Sequence, residues 1–376
     1  MKRIGIAGAG LMGRMLGFAC LNAGFHVTLI DRDPINSKAS CGFAGAGLLA
    51  PWCEAEKYDQ AHFEMACASL NLWPDWVRSI GIPIFFQQTG SVFVSHQQDW
   101  PELERITQAL AQKLGSRWVP QWRTGSSWQA LEPECAKKFD RALYFPEEGQ
   151  VEAWDLMPAL AKILNEKATW IAKRPILAIA PGVIYTERNT FKFDHVVDCR
   201  GLGAAPDLPH LRGVRGELVA LHAPEVRLNR PLRLAHPRFP LYIAPRPDHI
   251  FLVGASQLES ESMAPIALRS ALELLSAAYS IHPGFAESHI VNSSVHCRPA
   301  FADNRPKIFS QPGLTRINGL YRHGFLLSPL LAQETVRILN GQGMMFPELL
   351  IKEECCEGNE PGKMYPNLPV SNPSPT

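Results

Sequence analysis

The stretch RIGIAGAGLMGRMLGFACLNAGFHVTLID, residues 3–31, constrains what this chain can fold into more than any other. Apolar residues from Ile4 to Ala7 read as a buried strand, the spacing from Leu11 to Ala23 reads as a helix ended by Gly24, and FHVTLID reads as a second strand. Gly8, Gly10 and Gly13 fall between the first strand and the helix in the spacing G-x-G-x-x-G. That pattern is weak alone and gains meaning from the strand before it and the helix after it. Gly8 permits a tight turn, Gly10 lets a pyrophosphate approach the backbone, and Gly13 allows close helix–strand packing. The helix start adds unpaired N–H groups and the positive end of its dipole. Asp31, 18 residues after Gly13, ends the second strand, where a carboxylate can bind ribose hydroxyls. Its charge disfavours a 2′-phosphate, while Arg32 beside it would tolerate one. A dinucleotide is the expected ligand. These residues alone leave NAD, FAD and a purely structural glycine turn open.

Composition narrows the class. With 376 residues, 46% of them hydrophobic, the chain can bury a large core split between two lobes. Thirty-seven basic against 36 acidic residues give a formal charge of +1, so nothing favours nucleic acid or an anionic membrane surface. The apolar runs GFAGAGLLAPW and GFLLSPLLA are too short to span a bilayer, and a strand beginning at Ile4 leaves no room for a cleavable signal. Nine scattered cysteines lack metal or redox spacing, which fits reduced thiols and a cytoplasmic location with no bound metal.

Further along, a helical, aromatic-rich pattern covers Glu54 to Ile80, QQTGSVFVS alternates like a strand, and AWDLMPALAKILNEKA is helical. FDHVVDCRGLG reads as a buried strand with a glycine turn. GELVALHA, LYIAPRP and HIFLVGAS read as successive sheet strands, followed by a helix from about Ala264 to Tyr279. Pieces of a nucleotide fold thus alternate with β-rich pieces. The expected architecture is α/β: a discontinuous Rossmann-type nucleotide domain over 1–82, 146–215 and 290–345, a β-rich substrate domain over 83–145 and 216–289, and an extended or disordered tail over 346–376.

The segments IGIAGAGLMG, VTLID, GFAGAGLLAP, QTGSVFVS, VRGE and GLYRHGFLLSPLLAQETVRIL, in this order, resemble the FAD-dependent D-amino acid oxidase family. The likeness is greatest to its glycine oxidase branch, which includes the thiamine-pathway oxidases, and runs from residue 1 to about 342. It implies that FAD is the dinucleotide and that the C–N bond of an amino acid or amine is oxidised by hydride transfer to flavin N5. By the same resemblance Gly42, Phe43, Ala46, Gly47 and Leu48 would lie against the isoalloxazine. Ile176 would contact adenine, and Gly201 would end the strand beneath the dinucleotide. The backbone N–H groups of Gly324, Phe325, Leu326 and Leu327 would meet the flavin pyrimidine edge. Arg298 matches the arginine that grips the substrate carboxylate, Tyr242 a substrate hydroxyl, and Arg322 a further site arginine.

Departures from the family pattern bear on the substrate. His323 stands where an Asn is expected and Gln257 where an apolar residue is expected, so the pocket is expected to be more polar. Arg200 replaces a small or hydroxylic residue. Cys41, Cys199, Cys297 and His296 lie near these segments and read as structural. An accessory flavoprotein acting on a quinoprotein partner, helping to make a cysteine tryptophylquinone, is the alternative. A dinucleotide-binding protein without turnover is a third.

Overall fold

In the computed structural model, residues 1–236 and 241–352 are described. They form two compact units. The first comprises Met1–Phe43, Met157–Gly213 and the chain from Arg298 on, and the second Ala44–Leu156 and Val214–Cys297. Residues 44–82, 146–156, 214–215 and 290–297, expected with the nucleotide domain, belong to the second unit. Of the expected tail, Leu350–Lys352 forms a strand, and 353–376 lie outside the described residues.

A seven-stranded sheet organises the first unit. Its order is Leu350–Lys352, Lys307–Gln311, Leu314–Asn318, His195–Asp198, Arg3–Ala7, His26–Ile30 and Thr169–Ile171. Neighbours run parallel except the hairpin of Lys307–Gln311 with Leu314–Asn318. Strand polarity explains the continuous apolar runs: Ile4, Ile6, Ala7, Val196 and Val197 are all fully buried, as strands covered on both faces must be. Alternation sends Ala7 toward Ile179 and Ile184 of a small antiparallel sheet, while Ile6 meets the first helix, Leu11–Asn22, at Gly17. That helix packs along the last one, Gly324–Leu339. Strand order reverses beside Arg3–Ala7, between His26–Ile30 and His195–Asp198. Ligands of open α/β sheets bind at the carboxyl ends of strands at such a switch point.

The second unit is built on an eight-stranded sheet ordered His289–Ala300, Arg212–His222, Ile250–Gly254, Leu241–Pro245, Leu232–Leu234, Ser91–Val94, Arg141–Phe145, Gln121–Thr124. Period-two alternation divides its side chains. Val219, Leu221, Leu241, Ile243, Phe251 and Val253 form the main core with Leu274, Ala278 and Ile281 of the helix Leu268–Ile281. On the other face Leu218, Ala220, Tyr242, Ala244, Ile250 and Leu252 pack with Ala46 and Leu48. Among the described residues no helix is long and apolar enough to cross a membrane.

Candidate functional site

The glycine turn caps the switch-point end of the central strand. Gly8 has φ +95°, its N–H donates to the Ile30 carbonyl at 2.9 Å, and a Cβ there would lie 2.8 Å from the Cys199 carbonyl oxygen. At Gly13 a Cβ would sit 1.9 Å from the Gly8 carbonyl oxygen, so this glycine lets the helix pack against its own turn. Gly10 differs: its φ is −70°, and the nearest neighbour of an added Cβ is Ser40 Cβ at 3.9 Å. Among the described residues no atom requires glycine at 10. Open space there fits a ligand approaching the backbone, and the buried Ser40 Oγ beside it lacks a hydrogen-bond partner among the described residues.

The Asp31 carboxylate accepts from Ala9 N–H at 2.5 Å and Asp33 N–H at 2.8 Å, which fixes it against the turn with lone pairs left for a further donor. Arg32 extends into solvent beside Asp33. Arg174 N–H donates to the Asp31 carbonyl at 2.8 Å, which brings the start of the strand Ile176–Ala180 alongside the acidic strand end.

A second group of expected residues lies after the strand His195–Asp198 and before the last helix. Gly201 opens a short 3-10 turn three residues past the strand His195–Asp198, rather than ending the strand itself. Asn318 donates its side-chain amide to the Gly201 carbonyl at 2.9 Å, and Pro299 Cγ lies 3.9 Å from a Cβ built on Gly201. Tyr321 N–H in turn donates to the Pro299 carbonyl at 2.9 Å. This chain of contacts holds Arg298 next to the segment Tyr321–Arg322–His323 that leads into the last helix. Arg298 lies inside the strand His289–Ala300. His323 is the residue before that helix and is buried, its ring 6.3 Å from the Tyr321 ring. Leu327 N–H already donates to the His323 carbonyl at 2.8 Å, so the first-turn amides without an intrahelical acceptor are those of Gly324, Phe325 and Leu326.

Arg200 now has a physical account. It pairs with Asp198 at 2.7 Å and with Asp207, tying the end of the strand to the turn that follows. Burial disfavours its charge, but the two carboxylates outweigh that and hold the guanidinium charged. Cys199 is buried beside Asp198, and both facts push its thiol well above the ordinary range. The Cys297 thiol rests against the Ser260 and Ser262 carbonyls at 3.7 and 3.8 Å. All seven described cysteines are unpaired by disulfide.

The small-residue run is divided. Gly42 and Phe43 belong to the first unit; a Cβ on Gly42 would meet Leu11 Cβ at 3.2 Å and Met157 Cε at 3.1 Å. Ala46, Gly47 and Leu48 belong to the second, where Ala46 and Leu48 share a sheet face with Tyr242. Gly47 has a protein reason to be glycine, since its Cβ would lie 1.9 Å from the Val151 carbonyl oxygen. Arg246 secures this loop: its buried guanidinium donates to the Ala46 carbonyl, to Val151 O at 3.3 Å, to Gln150 and to Glu152. Sequence reasoning missed Arg246 and Arg14. Arg14 carried a signal, being the one charged residue in the helix Leu11–Asn22; Arg246, in a PRP stretch, carried none.

A glycine turn at a sheet switch point, an open approach at Gly10 and an acidic strand end held against the turn define a dinucleotide-binding protein. The chain belongs to the FAD dependent oxidoreductase family, whose model matches residues 3–338. Its dinucleotide is therefore FAD, and the protein is a flavin-dependent oxidoreductase. Over 342 residues it is 36% identical to a Rhizobium etli protein carrying the name thiamine biosynthesis oxidoreductase ThiO, covering 91% of this chain and 98% of that one. The glycine oxidase of Geobacillus kaustophilus is 26% identical over 346 residues, 87% of this chain and 90% of that one. Its crystal structure superposes with a TM-score of 0.80 at 24% identity, covering 92% and 97% of the two chains. Iminodiacetate oxidase from Chelativorans shares the fold at the same TM-score and 20% identity, covering 93% and 99%. None of these relatives supports the alternative of a flavoprotein acting on a quinoprotein.

Proposed function

We propose that the protein oxidises the C–N bond of a small free amino acid or amino-acid-like amine. The observation that carries this reading is the placement of Arg298, fixed through Pro299 to the Gly201 turn and to the residues that lead into the last helix. Relatives named as glycine oxidase and the fold shared with an iminodiacetate oxidase support a substrate that bears a carboxylate near its amine.

Bound FAD supplies the two-electron acceptor. Gly8, Gly10 and Gly13 would shape the pyrophosphate turn, Asp31 would take the ribose hydroxyls, and Ile176 would flank the adenine. Arg32, exposed beside Asp33, would touch only the outer edge of the adenosine. Unpaired amides of Gly324, Phe325 and Leu326, at the positive end of a 16-residue helix, would stabilise negative charge on the ring system. Arg298 would bind the substrate carboxylate through two parallel charge-assisted hydrogen bonds, which fixes the orientation of the amine. Arg322 adds positive charge, and buried His323 holds the entry of the helix. Tyr242 would contribute a hydroxyl to the substrate, a role that rests on the family resemblance. No protein base is needed if the amine arrives neutral, because positioning then supplies most of the rate gain.

The test is the visible spectrum of the purified protein followed by anaerobic addition of glycine, sarcosine, iminodiacetate and D- and L-amino acids. Bleaching of the yellow chromophore by one of them is expected. A yellow protein that bleaches only with dithionite would refute an amino-acid substrate.

A further inference from the structure

Arg14 directly follows the third glycine of the turn and is 3% exposed. Its Nε donates to the Ala9 carbonyl at 2.8 Å, one Nη to the Met157 carbonyl at 2.8 Å, and the other to the Ile35 carbonyl at 3.4 Å. The guanidinium is flanked by the Phe43 ring at 5.7 Å and the Trp170 ring at 5.4 Å. Every partner is a neutral carbonyl or a ring face. Among the described residues no carboxylate lies within ion-pair distance; Asp31 acts on it only at longer range. Burial, partly offset by Asp31, lowers the guanidinium to about 10.

A buried charge without a counter-ion is costly, and other buried arginines of this chain avoid that state. Arg200 has Asp198 and Asp207, Arg233 has Glu54, and Arg215 has Glu217. Arg14 is held instead by the residue between the first two glycines. Ala9 is gripped from both sides, its carbonyl by Arg14 and its N–H by Asp31. That double grip fixes the plane of the turn from which phosphate-binding N–H groups would project.

We propose that Arg14 is a positioning residue for the FAD, clamping the glycine turn at Ala9 to the segments at Ile35 and Met157 and supplying a charge that the anionic pyrophosphate balances. The inference rests on the assignment of FAD to this turn. It adds a cation beneath the turn to the glycines and the helix dipole, and it predicts that the phosphates, rather than the adenosine, feel the loss of Arg14.

The test uses apoprotein of the wild type and of Arg14→Met, Arg14→Gln and Arg14→Lys. FAD affinity is read from quenching of flavin fluorescence, and ADP and adenosine are compared as competitors. Arg14→Met is expected to weaken FAD and ADP at least tenfold while changing adenosine less than threefold. Arg14→Gln, which keeps a donor for the Ala9 carbonyl without the charge, should fall between Arg14→Met and wild type. Arg14→Lys should recover at least half of the loss on a logarithmic scale. Equal weakening of ADP and adenosine, or FAD affinity within twofold of wild type in both Met and Gln variants, would overturn the proposal. If Arg14→Met does not fold, the ADP-to-adenosine ratio in Arg14→Gln decides alone. Failure of the wild type to bind FAD would instead count against the assignment of the turn.

Discussion

Replacing Gly10 and Gly13 separately by alanine should divide folding from cofactor binding. A methyl group at Gly13 would lie 1.9 Å from the Gly8 carbonyl oxygen, where real Cβ contacts do not come under 3.0 Å. Helix and turn must therefore part by at least about 1.1 Å, with backbone on one side and no flexible side chain to yield. Overpacking of this kind costs roughly 1–3 kcal/mol and more where backbone resists. With an unfolding entropy of about 2.1 cal/mol/K per residue, that lowers the melting temperature of this 376-residue chain by roughly 1–4 °C. At Gly10 the added methyl meets nothing closer than 3.9 Å among the described residues, and its φ of −70° suits alanine. Only the poorer N-cap is lost, at about 0.5–1 kcal/mol. The methyl occupies the space through which a pyrophosphate would reach the backbone, so Gly10→Ala should lose at least about 30-fold in FAD affinity, roughly 2 kcal/mol. Thermal melting of the apoproteins and FAD titration by fluorescence quenching measure the two effects. A Gly10→Ala protein that melts as low as Gly13→Ala, or that binds FAD like wild type, would refute the assignment of that open space to the ligand.

Three more outcomes are expected. Arg298→Lys keeps the charge but loses the planar fork, so KM for the amino-acid substrate should rise about tenfold or more with a smaller change in kcat, read by steady-state kinetics. His195, whose Nε2 lies 2.9 Å from Thr315 Oγ1, is held down to about 4 by burial and by Lys2. Because the folded value lies below the ordinary one of about 6.5, the neutral ring is favoured. Its contribution, on the order of 3 kcal/mol, is fully present above pH ~6.5 and is lost as pH falls toward 4. Urea midpoints at pH 4.5, 5.5 and 7.5 should therefore drop on acidification, and less so in His195→Asn. Arg246→Met leaves Glu152, Gln150 and three backbone carbonyls without their shared donor, and should destabilise the protein by about 3–5 kcal/mol in urea denaturation.

The first βαβ unit was legible because its signals are local: an apolar run, three spaced glycines, and a carboxylate at a strand end. The entry to the last helix was legible for the same reason, although the bond from Leu327 N–H to His323 removed one of the four expected donors. Less visible was the helix Trp100–Leu114, where Leu103, Ile106, Leu110 and Leu114 carry the burial inside a mostly polar sequence. The strand His289–Ala300 was hidden because its first five residues are exposed and show no alternation to read. Ion pairs such as Arg200 with Asp207 depend on where a turn folds back. Arg14 is the one charged residue of its helix, but its partners could not be read, because the three carbonyls that converge on it come from segments as far as 143 residues away.

The parallel pairing of Arg3–Ala7 with His195–Asp198 also sets an order of events on the ribosome. The glycine turn is synthesised almost at once, yet its walls arrive late: Cys199, against which Gly8 packs, follows 191 residues later, and the last helix begins only at Gly324. In between, a long stretch of the second unit leaves the exit tunnel while the first strand still lacks one of its neighbours. Pairings of such high sequence separation form slowly and expose a strand edge meanwhile. FAD cannot find its turn until most of the chain has been made, so a shortage of flavin during synthesis would be felt as lost soluble protein as well as lost activity.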